Sequence, residues 1–183
     1  MKITSGCLKG KKIKSKRGLS TRPLLSRIRK SLFDLLGDGI KDKKFLDLYA
    51  GSGAVGIEAI SRGASEAVFV DKDPECVKII RENLLKLGIS SAARVFQQDV
   101  LQILPFLLKK EEFPFIFIGP PYFLGLQDRT LDIIEKLVNY RGGLIIQHHP
   151  REKVKLERRN MTVIQQRKYG DICLTFMRKD KNE

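Results

Sequence analysis

The segment Lys44-Phe45-Leu46-Asp47-Leu48-Tyr49-Ala50-Gly51-Ser52-Gly53-Ala54-Val55-Gly56 decides how this chain folds. Its apolar first half predicts a buried strand over residues 44–49. Its second half opens a helix over 54–62 that Gly63 ends. The glycines between them let the backbone turn tightly and approach a ligand at a helix N-terminus whose N–H groups are free. Downstream the same alternation repeats. Strands are predicted at 67–70, 94–97, 115–118 and 143–146, and helices at 74–87, 100–109 and 127–138. In the 74–87 helix, Val77, Ile80, Leu84 and Leu87 share one face and Gly88 closes it. Two late runs, 161–166 and 171–177, alternate as an antiparallel pair around Tyr169-Gly170. Five βα repeats followed by a hairpin describe an α/β fold with a parallel sheet and an antiparallel edge.

Upstream, residues 1–16 read as a short hairpin turning at 6–10, with lysines alternating around Ile3 and Ile13. Residues 18–23 read as a linker. Pro23 suits a helix start, and Leu24, Ile28, Leu32, Leu35 and Leu36 recur at helical spacing until Gly37. The expected organisation is one domain over residues 1–183, with a basic extension at 1–40 and a core at 41–183.

The 183 residues are 42% hydrophobic and 31% charged, a globular composition. Cys7, Cys76 and Cys173 form no CxxC pair, so neither a zinc site nor a disulfide framework is expected, and no metal is assigned. No run is long enough to span a membrane and no signal peptide is visible, so a cytoplasmic protein without a membrane partner is expected. The charge is uneven. Residues 1–44 hold 14 Lys/Arg against 3 Asp/Glu, residues 45–150 hold 11 against 13, and residues 151–183 hold 10 against 5. A near-neutral middle between basic ends suggests a catalytic core with polyanion-gripping appendages, and nucleic acid is the favoured partner.

The glycine loop by itself also fits a dinucleotide fingerprint. Asp47 separates the readings. A carboxylate ending a buried strand is costly unless it is hydrogen-bonded, and placed before the glycines it would repel a pyrophosphate. It suits a cationic, N–H-rich ligand such as the amino-acid end of S-adenosylmethionine. Asp47, Gly51 and Gly53 are therefore assigned to that end. Asp71, after the second strand, is assigned to the ribose hydroxyls, with Asp73 as the alternative. Asp73 before Pro74 reads better as a helix N-cap. Asp99 either reaches the adenine amino group or caps the next helix, and the two readings weigh evenly.

The apolar run 115–118 ends in Gly119-Pro120-Pro121-Tyr122. With Asp47…Gly53, Asp71 and Asp99 before it, this order resembles the class I S-adenosylmethionine-dependent methyltransferases. Ile3-x-x-Gly6…Lys9-Gly10, Thr21-Arg22-Pro23…Arg27-Ile28-Arg29…Leu32-Phe33 and Arg167-Lys168-Tyr169-Gly170-Asp171 narrow the resemblance to the RsmD family. That resemblance implies a Rossmann-like, seven-stranded, mostly parallel sheet with an added amino-terminal β-hairpin and helix. It also implies methylation of a guanine N2 amine in 16S ribosomal RNA. The expected substrate is that RNA or an assembling small ribosomal subunit, and a monomer is expected. The catalytic residues it implies are Gly119, Pro120, Pro121 and Tyr122, with the Pro120 carbonyl facing the amine and Tyr122 stacking on the base. Lys9, Lys11, Lys12, Arg22, Arg27 and Arg29 are the expected phosphate contacts.

The chain departs from the family pattern at the site. Gly119 stands where the family has Asp, Gln147 where it usually has Glu, and Ser26 where an acid is common. An acceptor aimed at the amine orients it and supports its developing charge. Losing a charged hydrogen bond of roughly 1.5–3 kcal/mol implies about 10–100-fold in rate. Two alternatives follow: an RNA-binding protein with weak or no catalysis, and, less favoured, a dinucleotide oxidoreductase. His148 and His149 are given no catalytic role.

Overall fold

The computed structural model describes residues 1–16, 24–137 and 142–179. In chain order the elements are α1 (Ser26–Leu36), β1 (Lys44–Leu48), α2 (Ala54–Ser61), β2 (Glu66–Asp71), α3 (Pro74–Leu87), β3 (Ala93–Gln97), α4 (Val100–Lys110), β4 (Phe115–Ile118), α5 (Leu126–Lys136), β5 (Gly142–His148), β6 (Met161–Tyr169) and β7 (Ile172–Lys179). The strands form one seven-stranded sheet in the order β3-β2-β1-β4-β5-β7-β6. The first five strands run parallel, β7 returns antiparallel to β5, and β6 pairs antiparallel with β7. This is the parallel sheet with an antiparallel edge expected from the repeats, in the seven-stranded, Rossmann-like arrangement that the resemblance implied.

Strand alternation sorts the core into two layers. Leu46, Leu48, Val68, Val70, Ile116 and Ile118 face α4 and α5, against Leu104, Leu107, Leu131 and Ile134. On the other face Phe45, Phe117, Ile145 and Leu174 pack against Ile28, Leu32 and Phe33 of α1, while Phe69 packs against α2, α3 and the buried Ile3 and Ile13 of the amino-terminal segment. That segment folds back as the expected hairpin, with Lys2 opposite Lys12, Met1 and Ile13 exchanging backbone bonds at 2.9 Å and the Ile3 N–H donating to the Lys11 carbonyl at 3.0 Å, though neither arm is a regular strand.

The order reverses between β1 and β4. At such a switch point the loops leaving the two strands diverge to opposite faces and open a crevice at their carboxyl ends. Both the glycine loop after β1 and the Pro-Pro turn after β4 lie there. A further cavity opens at the opposite end of the sheet, between Phe115, Gly143, Ile164 and Phe176, and no candidate site residue lines it.

Two expectations at the amino terminus change. The linker with Arg22 and Pro23 lies outside the described residues, and α1 begins at Ser26. Arg29, expected on phosphate, is completely buried. Its Nε donates to Glu58 at 3.0 Å, one Nη donates to the Lys2 carbonyl, and the other reaches the Leu24 carbonyl at 3.5 Å. A helix of period 3.6 that exposes Arg27 turns position 29 inward beside Ile28. Arg29 therefore ties the amino-terminal segment to α2. Lys9, Lys11, Lys12 and Arg27 are exposed.

Candidate active site

Two adjoining cavities lie at the switch point, with Tyr49 and Gly119 in the wall of both. The outer one is lined by Gly51, Asp71, Asp73, Asp99 and Pro121. The inner one is lined by Asp47, Ser52, Ala54, Phe117 and Gln147. The strand ends thus gather Asp47, Gly51, Asp71, Asp99 and Pro121 of the Pro-Pro turn into one place.

Asp47 is 1% exposed, and its Oδ2 accepts from the Gly56 N–H at 2.8 Å. Burial pushes its carboxyl up to about 8; the Gly56 bond opposes this and the charge of Asp71 adds to it. A cationic ligand group beside it would offset that burial. Asp71 uses Oδ2 on the Gly51 N–H (2.8 Å) and Oδ1 on the Asp73 N–H (2.9 Å), which fixes the loop and aims the carboxylate at the outer cavity. A Cβ at Gly51 would meet nothing within 4 Å, so its φ of +57° is what calls for glycine, and the cavity wall stays open. At Gly56 a Cβ would stand 2.3 Å from Phe69 Cε1, so that glycine lets α2 close onto β2.

Asp73 is the N-cap of α3, accepting from the Glu75 N–H at 2.8 Å, and it also pairs with Lys16 at 2.6 Å. Asp99 caps α4 through the Leu101 N–H at 2.8 Å, as one of its two readings has it, and it also lines the outer cavity. An adenosine-sized group with a cationic end fits this arrangement, with one buried carboxylate inside and three acids at the mouth.

On the substrate side, Tyr122 is half-buried and its hydroxyl accepts from Gln147 Nε2 at 2.9 Å. Gly119 and Gln147 line the same inner cavity, so two of the three positions at which the resemblance expects an acid share one place. Ser26 is exposed at the start of α1 and does not line it. Among the described residues, Asp47 is the one carboxylate in that lining. The ring of Phe117 fills the space beside Gly119, where a Cβ would come 2.6 Å from its Cε1. His148 spends both ring nitrogens on the fold, Nδ1 on the His149 carbonyl (3.1 Å) and Nε2 on Thr175 Oγ1 (2.9 Å), and burial holds its pKa below the usual value.

Several positioning residues carried little or no sequence signal. Tyr49 holds a left-handed φ of +60° and bonds Thr130 Oγ1 at 2.8 Å. Asn83, buried on α3, donates to the Ser52 carbonyl and exchanges bonds with the backbone of Lys14, joining the glycine loop to the amino-terminal segment. Its only hint was a polar residue among the apolar positions of that helix. Glu152 accepts from the Phe123 N–H (2.6 Å), Gln127 Nε2 (2.9 Å) and the His149 N–H (3.3 Å), so one carboxylate joins three segments. Among the described residues no cluster suited to a metal ion occurs, and no helix is long and apolar enough to cross a membrane.

Residues 1–178 match the family model described as conserved hypothetical protein 95. The chain is 35% identical over 154 residues to the Bacillus subtilis protein named "Putative rRNA methyltransferase YlbH", covering 83% of this chain and 84% of that one. It is 32% identical over 154 residues to ribosomal RNA small subunit methyltransferase D of Buchnera aphidicola, covering 83% and 80%. A solved structure of a Thermus hypothetical protein, TTHA0928, superposes with a TM-score of 0.79 at 35% identity, covering 96% of this chain and 98% of that one.

Proposed function

Because the chain belongs to the conserved hypothetical protein 95 family, the RsmD methyltransferases, we propose that it methylates the exocyclic N2 amine of a guanine in 16S ribosomal RNA, with S-adenosylmethionine as cofactor. The observation that carries this reading is the wall of Tyr49 and Gly119 common to the two cavities, which brings the cofactor acids and the Pro-Pro-Tyr turn together. The cofactor supplies an electrophilic methyl group. Asp47 and the loop from Gly51 to Gly53 hold its amino-acid end, Asp71 its ribose and Asp99 its adenine. Pro120 offers a carbonyl to the amine N–H, and Tyr122, steadied by Gln147, stacks on a base turned out of its helix. The surplus proton passes to water, since a protonated aryl amine is strongly acidic. The work is done in the cytoplasm by a monomer, with residues 1–40 as the RNA-gripping part and 41–183 as the catalytic core.

The test is to incubate unmodified small ribosomal subunits with the protein and labelled cofactor, then map the methyl group. A single guanine carrying N2-methyl is expected; label on another atom or base sinks the assignment. Gly119 favours a second reading, an RNA-binding protein that turns over slowly. Gly119→Asp in a Phe117→Leu background, which gives the new Cβ room, should raise turnover by about 10–100-fold. Unchanged turnover would mean that main-chain acceptors suffice. No transfer by the parent, with cofactor and RNA still bound, favours the second reading.

Lys9, Lys11 and Lys12 are exposed in and just after the turn of the amino-terminal hairpin. Replacing them with alanine should flatten the slope of log RNA affinity against log salt by about one for each lysine on a phosphate. An unaltered slope would remove this turn from the interface.

A further inference from the structure

We propose that Phe123 and His149 form a second nucleobase-binding slot, which takes an unpaired nucleotide flanking the one whose base Tyr122 covers. The inference rests on the RNA-methylation reading above. Phe123 is 63% exposed, although burying such a ring is among the larger gains a side chain offers. Its φ of +61° is left-handed, a conformation that bulky residues rarely adopt and that persists only when the surroundings impose it. The imposing group is Glu152, whose Oε1 takes the Phe123 N–H at 2.6 Å. Its Oε2 takes the His149 N–H at 3.3 Å and Gln127 Nε2 at 2.9 Å, so one carboxylate sets both ring-bearing segments.

The Phe123 and His149 rings stand 5.1 Å apart at 48°, a wedge rather than a closed stack. Tyr122 meets them edge-on, at 6.4 Å from Phe123 and 5.8 Å from His149. The His149 ring is oriented as well, since its Nδ1 accepts from the Arg151 N–H at 3.0 Å. Exposed Arg151 and Lys153 flank Glu152. Aromatic faces beside cations are what a single-stranded nucleic acid recognises: bases stack and phosphates pair. The backbone is strained here to hold an apolar ring outward, beside the turn that would receive the target base, and an outward ring in that place suits a second base.

The test is fluorescence anisotropy of a labelled short single-stranded RNA at several salt concentrations, with the parent protein, Phe123→Ala and Phe123→Trp. Phe123→Ala should weaken binding about tenfold at every salt concentration, leaving the salt slope and the cofactor affinity unchanged. Phe123→Trp should restore binding. Equal affinity, or a changed slope, overturns the slot. So does a change of sedimentation on Phe123→Ala, which would make the ring a contact between copies. Methyl transfer by the parent is measured in parallel. If it fails while Phe123→Ala still weakens RNA binding, the methylation reading falls and the slot stands. If the parent methylates and Phe123→Ala matches it throughout, the slot alone falls.

Discussion

Arg29→Ala is expected to lower the unfolding free energy by about 3–5 kcal/mol, the range for breaking a buried ion pair by removing one partner. Both side chains are fully buried. Glu58 also accepts from the Thr4 N–H (3.0 Å), Thr4 Oγ1 (2.6 Å), the Ser5 N–H (3.0 Å) and Arg62 Nε (3.2 Å), so the loss strands a carboxylate that anchors the amino-terminal segment. Removing both partners would not fully restore stability, because the half-buried Thr4 and Ser5 donors would lose their acceptor. Burial alone would raise the Glu58 pKa, but the Thr4 and Arg29 bonds outweigh it and the net direction is downward. A depressed carboxyl stabilises above its ordinary range and loses that contribution as pH falls through its folded value, so the anchor should loosen in acid. Urea unfolding and amide exchange at Ile3 and Ile13 read both effects. An unchanged midpoint for Arg29→Ala, with those amides still protected, would mean that this pair is not the anchor.

Asp47→Asn is expected to act in opposite directions on the free and loaded protein. In the free protein the carboxyl is held near 8 by burial. A raised folded pKa stabilises fully below the ordinary carboxylate range, and that contribution is lost as pH rises towards 8. The penalty at neutral pH is on the order of 4 kcal/mol. Asparagine keeps an oxygen for the Gly56 N–H and carries no charge, so the variant should melt progressively higher than the parent between about pH 4 and pH 8. Cofactor affinity should fall by about 10–100-fold, since a charged hydrogen bond to the ligand's ammonium group is lost. A melting difference that does not vary with pH would show that Asp47 is not buried as an acid. An unchanged affinity would place the ligand's cation elsewhere.

Much of this fold was legible in the residues. The limits of α3 and β4 fell where Gly88, Pro74 and the apolar run 115–118 put them, because caps and periodicity are local. Strand ends were read less well: the first strand stops at Leu48 rather than at 49, and β6 continues to Tyr169 because β7 pairs with it through Ile172, which polar Arg167 and Lys168 do not announce. At the site, the Asp73 cap followed from the Pro74 beside it. Glu152 could not be found in the same way, since it lies 29 residues from the Phe123 it holds.

By itself, the sequence determined the α/β order, the glycine loop with its acid, the Pro-Pro-Tyr turn and the basic ends, all written in neighbouring residues. Tertiary structure alone decided which of those residues share a space. Arg27 faces water while Arg29, two positions on, is locked to Glu58. Gly119 and Gln147 meet in one cavity and Ser26 does not. The Phe117 ring takes the room a side chain at 119 would use. Burial and partnership depend on groups distant in the chain, so the chemistry of a carboxylate or an arginine is settled only when the sheet and its layers close around it.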